Sequence, residues 1–208
     1  MQSVRFWIHK IFDKHRFMPI LTPNFDGNEC DGERIVDRYF NANEIAQAGR
    51  SFCLAEKMVS RHYRLSLARM RSWRYDVRTL VNLENHEIND GVFAHLCKYG
   101  YHKDGNENGF DFYRICLHDH RILDAVERAG SFVRLSPLLL YIAAHELVHV
   151  VRFTKGQADF DMEGKRRELE EQTVNNITQD ILKPMDYPHL DLVLDCFSKR
   201  YNLEVLFH

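Results

Sequence analysis

Residues 145–149 read His145-Glu146-Leu147-Val148-His149, an H-E-x-x-H pattern. On a helix, residues four apart lie on one face, about one turn from each other. His145 and His149 can therefore offer their imidazoles to one metal ion. Glu146 is offset by one residue, so it stands beside such an ion rather than on it. That is where a general base must stand to take a proton from a metal-bound water. The flanking residues at 143, 144, 147, 148, 150 and 151 are all uncharged, as a buried active helix requires, because a stray charge there would be costly.

The element that must position this motif is a helix starting near Ser136 and Pro137, an N-cap residue followed by a residue suited to the first helical position. Residues 138–144 are apolar all round, which predicts a buried helix. It should end near Thr154, Lys155 and Gly156, with Gly156 in the left-handed C-terminal position. Two histidines do not complete a catalytic zinc site, which uses three protein ligands and leaves one position open. No third His follows at the H-E-x-x-H-x-x-G-x-x-H spacing, where Lys155 stands. The other common solution is a Glu from a following helix. Residues 163–182 read as that helix, stopping before Pro184. It carries Glu163, Glu168, Glu170 and Glu171. Glu168 and Glu171 are close to one turn apart, so spacing alone leaves both open.

The run Glu171-Gln172-Thr173-Val174-Asn175 resembles the E-x-x-x-D/N glutamate helix of gluzincins, the thermolysin-like class of zincins. Its continuation, Ile181-Leu182-Lys183-Pro184, is similar to the small ImmA/IrrE-type zincins. The resemblance covers residues 136–184. It implies that Glu171 is the third zinc ligand and that Asn175, one turn later, orients a histidine ligand; Glu168 is the weaker choice. It also implies a mainly helical α+β zincin-like fold, with a small antiparallel sheet or hairpin before the active helix. In such folds an edge strand lines the cleft, and an extended substrate can add to it. Peptidases of this class often bring a downstream Tyr or His to the oxyanion, which makes Tyr187 and His189 weak candidates. The other glutamates read as a solvated face, mixed with Lys165, Arg166 and Arg167.

A chain of 208 residues with 45% hydrophobic residues can bury a sizeable core. The division expected is a helical N-terminal region over 1–90, a zincin-like core over 91–202, and residues 203–208 as an engineered remnant, since Leu203-Glu204-Val205-Leu206-Phe207 resembles the start of a common cleavage tag. A net charge of −2 exerts no global pull on nucleic acid or anionic lipid. Five scattered Cys without a C-x-x-C pair read as reduced thiols of a cytoplasmic protein. No signal peptide is visible, and the longest apolar run is too short to span a bilayer.

Residues 3–15 fit an amphipathic helix through Val4, Trp7, Ile8, Ile11 and Phe12, and 19–32 read as a loop. Residues 32–70 read as helical, with Asn41 or Asn43 as a cap. Arginines interleaved with aromatics over 57–78 offer a nucleic-acid surface, but a solvated helix face is the preferred reading, because the net charge is not basic. Residues 92–101 and 110–118 form a β-hairpin. Its loop matches half of a calcium loop, with Ile115 where the bidentate Glu belongs, and reads as a turn. His118-Asp119-His120 ends the second strand, and 189–201 form a last helix. The expected function is zinc-dependent hydrolysis of peptide bonds in a protein or peptide substrate, with Glu146 as general base. The alternative is a zincin-fold sensor or interaction module with a structural metal.

Overall fold

A computed structural model describes residues 2–7, 38–89, 91–101 and 110–202. The remainder of the expected first helix, the loop over 19–32, the calcium-like turn and residues 203–208 lie outside the described residues. The fold is mainly helical α+β. Its strands are β1 (Gln2–Trp7), β2 (Tyr75–Arg78), β3 (Ala94–Tyr101) and β4 (Phe110–Leu117). Its helices are α1 (Ala42–His62), α2 (Leu67–Arg71), α3 (Asp119–Ala129), α4 (Leu135–Thr154), α5 (Lys165–Leu182) and α6 (Leu190–Asn202).

Helix α4 is the pivot, touching α1, α3, α5, α6 and β3. Its side chains from Pro137 to Val151 are all buried. Length and mean hydropathy would let it cross a membrane, yet 83% of that window is covered by the rest of the fold. The helix starts two residues earlier than expected: Arg134 is the N-cap, and the Ser136 hydroxyl donates instead to Gln47 Oε1 on α1 at 2.7 Å. Pro137 still falls in the first turn, where a missing N–H costs nothing. At the other end Gly156 has φ 64° and its N–H reaches the Phe153 carbonyl, the expected left-handed exit.

Helix α1 begins at an Asn41 capping box: Asn41 Oδ1 accepts from the Asn43 and Glu44 amides, and Glu44 returns a carboxylate to the Asn41 amide. Its buried residues Ala48, Phe52, Ala55 and Val59 recur every three to four positions, which turns one stripe onto α4. This stripe, β2 and the elements beyond residue 91 share one hydrophobic core.

The sheet order is β1-β3-β4-β2. The hairpin β3–β4 pairs Ala94 with Leu117 and Tyr101 with Phe110. Strand β2 runs parallel to β4, so the sheet is mixed rather than purely antiparallel. Residues 3–7, expected to begin a helix over 3–15, instead lie in β1, antiparallel to β3 with Gln2 opposite Tyr101. The physical reason is that β3 otherwise presents a row of unpaired backbone groups, and a six-residue strand satisfies them. Between Leu96 and Tyr101 the edge of β3 is thus taken by the chain's own N-terminal strand rather than left for an added one.

Residues 118–120 do not end a strand. His118 is the N-cap of α3, and the buried Asp119 carboxylate accepts the backbone N–H groups of Phe40 and Leu80 at 3.0 and 3.1 Å. The carboxylate thereby ties three segments together. His118 Nε2 accepts the Asn89 amide at 2.9 Å.

Candidate metal centre

Helix α4 presents Tyr141, His145, His149 and Phe153 at four-residue steps, so the four rings form a column along one face. The His145 and His149 rings lie 5.0 Å apart. Tyr141 stacks against His145 at 6.0 Å and Phe153 against His149 at 5.5 Å. These flat neighbours restrict how either imidazole can turn.

Helix α5 crosses α4 so that one carboxylate oxygen of Glu171, Oε2, lies 3.5 Å from Nε2 of His145 and 3.5 Å from Nε2 of His149. A tetrahedral ion with bonds of about 2.0–2.2 Å to nitrogen and oxygen has ligand–ligand edges of about 3.3–3.5 Å. The two Glu171 distances match such edges, and the donor atoms of His145, His149 and Glu171 all lie within 4.8 Å of one another, a group that could hold a metal ion. Glu168, the weaker choice, is exposed on the first turn of α5. The two expected glutamates thus differ in place: one faces the histidines and the other faces solvent.

Not every remaining glutamate is solvated. Glu170 is buried and holds Arg152 of α4 through two bonds, 2.6 Å to Nε and 2.8 Å to Nη2. This fork fixes α5 against α4 beside Glu171. Arg167 is also half-buried; burial pushes its guanidinium below the ordinary arginine range, opposed by the Glu171 and Glu163 carboxylates.

Asn175 is buried on α5, and its Oδ1 accepts the Tyr141 hydroxyl. Since Tyr141 stacks on His145, Asn175 is linked to that imidazole through the tyrosine ring rather than directly by this bond. Glu146 is 1% exposed. It borders a cavity formed with Phe93, Ala94, Tyr141, Ile142, His145 and Phe197 in which the space open to a water's centre is about 10 Å³. This is room for about one water. Phe197 of α6 lies flat on Tyr141 at 3.8 Å and roofs this space. Tyr187 packs half-buried against the core and His189 is exposed, and neither lines the cavity beside Glu146.

The arginines of 57–78 are spread over α1, α2, a turn and β2. Arg71 pairs with Glu56, Arg78 with Asp76, and Arg74 lies over the Phe110 ring. Sequence reasoning missed Tyr141, Arg152 and Phe197. The first had a legible signal, standing four residues before His145; the other two act through partners remote in sequence. No family model, curated protein or solved structure matches this chain.

Proposed function

We propose that this chain is a zinc-dependent peptidase, with His145, His149 and Glu171 as the metal ligands and Glu146 as the general base. The observation that carries the reading is the shared 3.5 Å approach of one Glu171 oxygen to both imidazoles, next to a buried carboxylate facing a water-sized cavity. When bound, zinc would polarise a scissile carbonyl and lower the pKa of water. Glu146 accepts the proton of the attacking water and passes it to the leaving amine. Tyr141 and Phe153 hold the imidazoles in place, and Asn175 holds Tyr141. Phe93 and Phe197 line the space beside Glu146. The substrate would be a protein or peptide, entering only when Phe197 moves aside.

The test is zinc content and peptide-library cleavage by the full chain and by Glu146→Gln. The variant keeps the shape but cannot accept a proton, so it should retain about one zinc at this site and lose hydrolysis. Undiminished cleavage by Glu146→Gln removes Glu146 from the mechanism.

A second reading is favoured by one observation. A 10 Å³ cavity admits no peptide, which suits a metal that serves structure in a sensor or interaction module. Zinc binding without cleavage, persisting when Phe197 is replaced by Ala, would select this reading.

A further inference from the structure

The sheet has two buried faces. Ala94, Leu96, Tyr113, Ile115 and Leu117 belong to the helical core. The alternate residues of the hairpin, including His95, Cys97 and Cys116, point to the opposite side, as the two-residue strand period requires. The register places His95 across from Cys116 and Cys97 across from Arg114. The three side chains therefore converge on one spot, on the side of the sheet away from α4. Cys97 and Cys116 are fully buried and His95 is 1% exposed.

The distances among these donors are informative. The Sγ atoms of Cys97 and Cys116 are 3.6 Å apart, far longer than a disulfide bond of about 2.0 Å. His95 Nε2 lies 3.5 Å from Cys97 Sγ, and all three donor atoms fall within 4.8 Å of one another. With zinc bonds of about 2.3 Å to sulfur and about 2.0–2.1 Å to nitrogen, tetrahedral edges are about 3.8 Å between sulfurs and about 3.6 Å between sulfur and nitrogen. The two measured edges lie close to these lengths. Without an ion the same contacts are thiol hydrogen bonds, Cys97 Sγ to His95 Nε2 and to Cys116 Sγ; an ion would replace them with bonds to its own centre.

We propose that His95, Cys97 and Cys116 form a second metal site, selective for a thiophilic ion of the zinc class and independent of the His145 centre. Two thiolates balance the charge of a divalent ion, so the buried site is neutral when filled. Filling it displaces two thiol protons to solvent and changes no oxidation state. An ion here would pin β3 to β4 within a hairpin whose strands sit between β1 and β2.

Cobalt(II) distinguishes the two centres, because only sulfur ligands give a thiolate-to-cobalt charge-transfer band in the near ultraviolet. The full chain, reduced and stripped of metal, is titrated with cobalt(II). The expected result is about two equivalents bound, with a sulfur band that saturates with one of them. The His145→Ala/His149→Ala variant should keep the sulfur band and lose the other equivalent. Cys97→Ala and Cys116→Ala should each lose the band. Should these cysteine variants fail to fold, His95→Gln supplies the same test, with cobalt affinity for the sulfur site falling tenfold or more. A measurement without any variant is alkylation of the native sequence in partly denaturing urea, where zinc should slow modification of Cys97 and Cys116 relative to Cys53 and Cys196, which are exposed. The proposal is overturned by cobalt binding with no sulfur band, by a band that survives loss of Cys97, or by zinc leaving the alkylation of Cys97 and Cys116 unchanged.

Discussion

Glu171 and Glu168 stand three residues apart on one helix, yet only Glu171 reaches the two imidazoles. Removing a ligand carboxylate should weaken zinc far more than removing an exposed neighbour. Glu171→Ala is expected to lose most zinc affinity at this site and Glu168→Ala to change it little; zinc titration showing the reverse order would put the helix register wrong by one turn. Asn175 is one step further back. Its bond from Tyr141 makes a second forecast possible. Asn175→Ala should cost about 10–100-fold in zinc affinity, the range usual for groups that orient ligands. Tyr141→Phe, which removes only the hydroxyl, should reproduce much of that loss. Full affinity in Tyr141→Phe would show that Asn175 works by some other contact.

Helices α4 and α5 are joined by the Arg152–Glu170 fork, whose side chains are 15% and 6% exposed. Breaking a buried pair from one side leaves an uncompensated charge and typically costs about 3–5 kcal/mol, whereas replacing both partners with apolar groups is often near neutral. Arg152→Met should therefore destabilise the fold by a few kcal/mol in urea unfolding, and Arg152→Met/Glu170→Met should recover most of it. Equal destabilisation in the single and double variants would mean that the fork contributes through packing alone. Helix α6 sets the other boundary of the site. Phe197 rests on Tyr141 and lines the cavity beside Glu146. Truncating it to Ala should open a path for substrate and raise peptide cleavage several-fold; a fall in cleavage, with zinc content intact, would instead make Phe197 part of the substrate-binding wall.

At the scale of the whole molecule, the sheet is tied to the preceding segment by Arg114. Its guanidinium reaches Asp76 of β2 at 3.0 and 3.2 Å and Glu87 at 3.0 Å, while Tyr99 donates to Glu87. Burial pushes the Glu87 carboxyl up, but the bonds from Tyr99, the Glu84 amide and Arg114 outweigh it and hold the carboxyl below its ordinary 4.5. A depressed folded pKa means that the unfolded chain binds more protons over the window just below pH 4.5. The stabilisation is present above that pH and is lost as pH falls through the folded value. Glu87→Gln should be less stable at neutral pH and should show a shallower acid dependence than the native sequence, measured as urea midpoints across the acid range. Identical slopes would remove Glu87 from the acid response.

What could be read along the chain was what local spacing controls. The His145–His149 pair, the Gly156 exit, the Asn41 cap and the β3–β4 hairpin all depend on residues a few positions apart, and each lies where the pattern put it. The glutamate resemblance points to Glu171, and the fold sets one of its carboxylate oxygens 3.5 Å from both imidazoles. Tertiary structure decided the features that depend on a distant partner. A period of 3.6 over 3–15 could not reveal that residues 2–7 would meet the open edge of β3. No local signal marked Glu170 as buried, because its burial is tolerable only through Arg152 on another helix. Nor could sequence place Phe197 over Tyr141 or bring His95 to two cysteines on paired strands. Strand pairing and the burial of charge are settled between segments far apart in the chain, since the groups that satisfy them come from elsewhere in the fold.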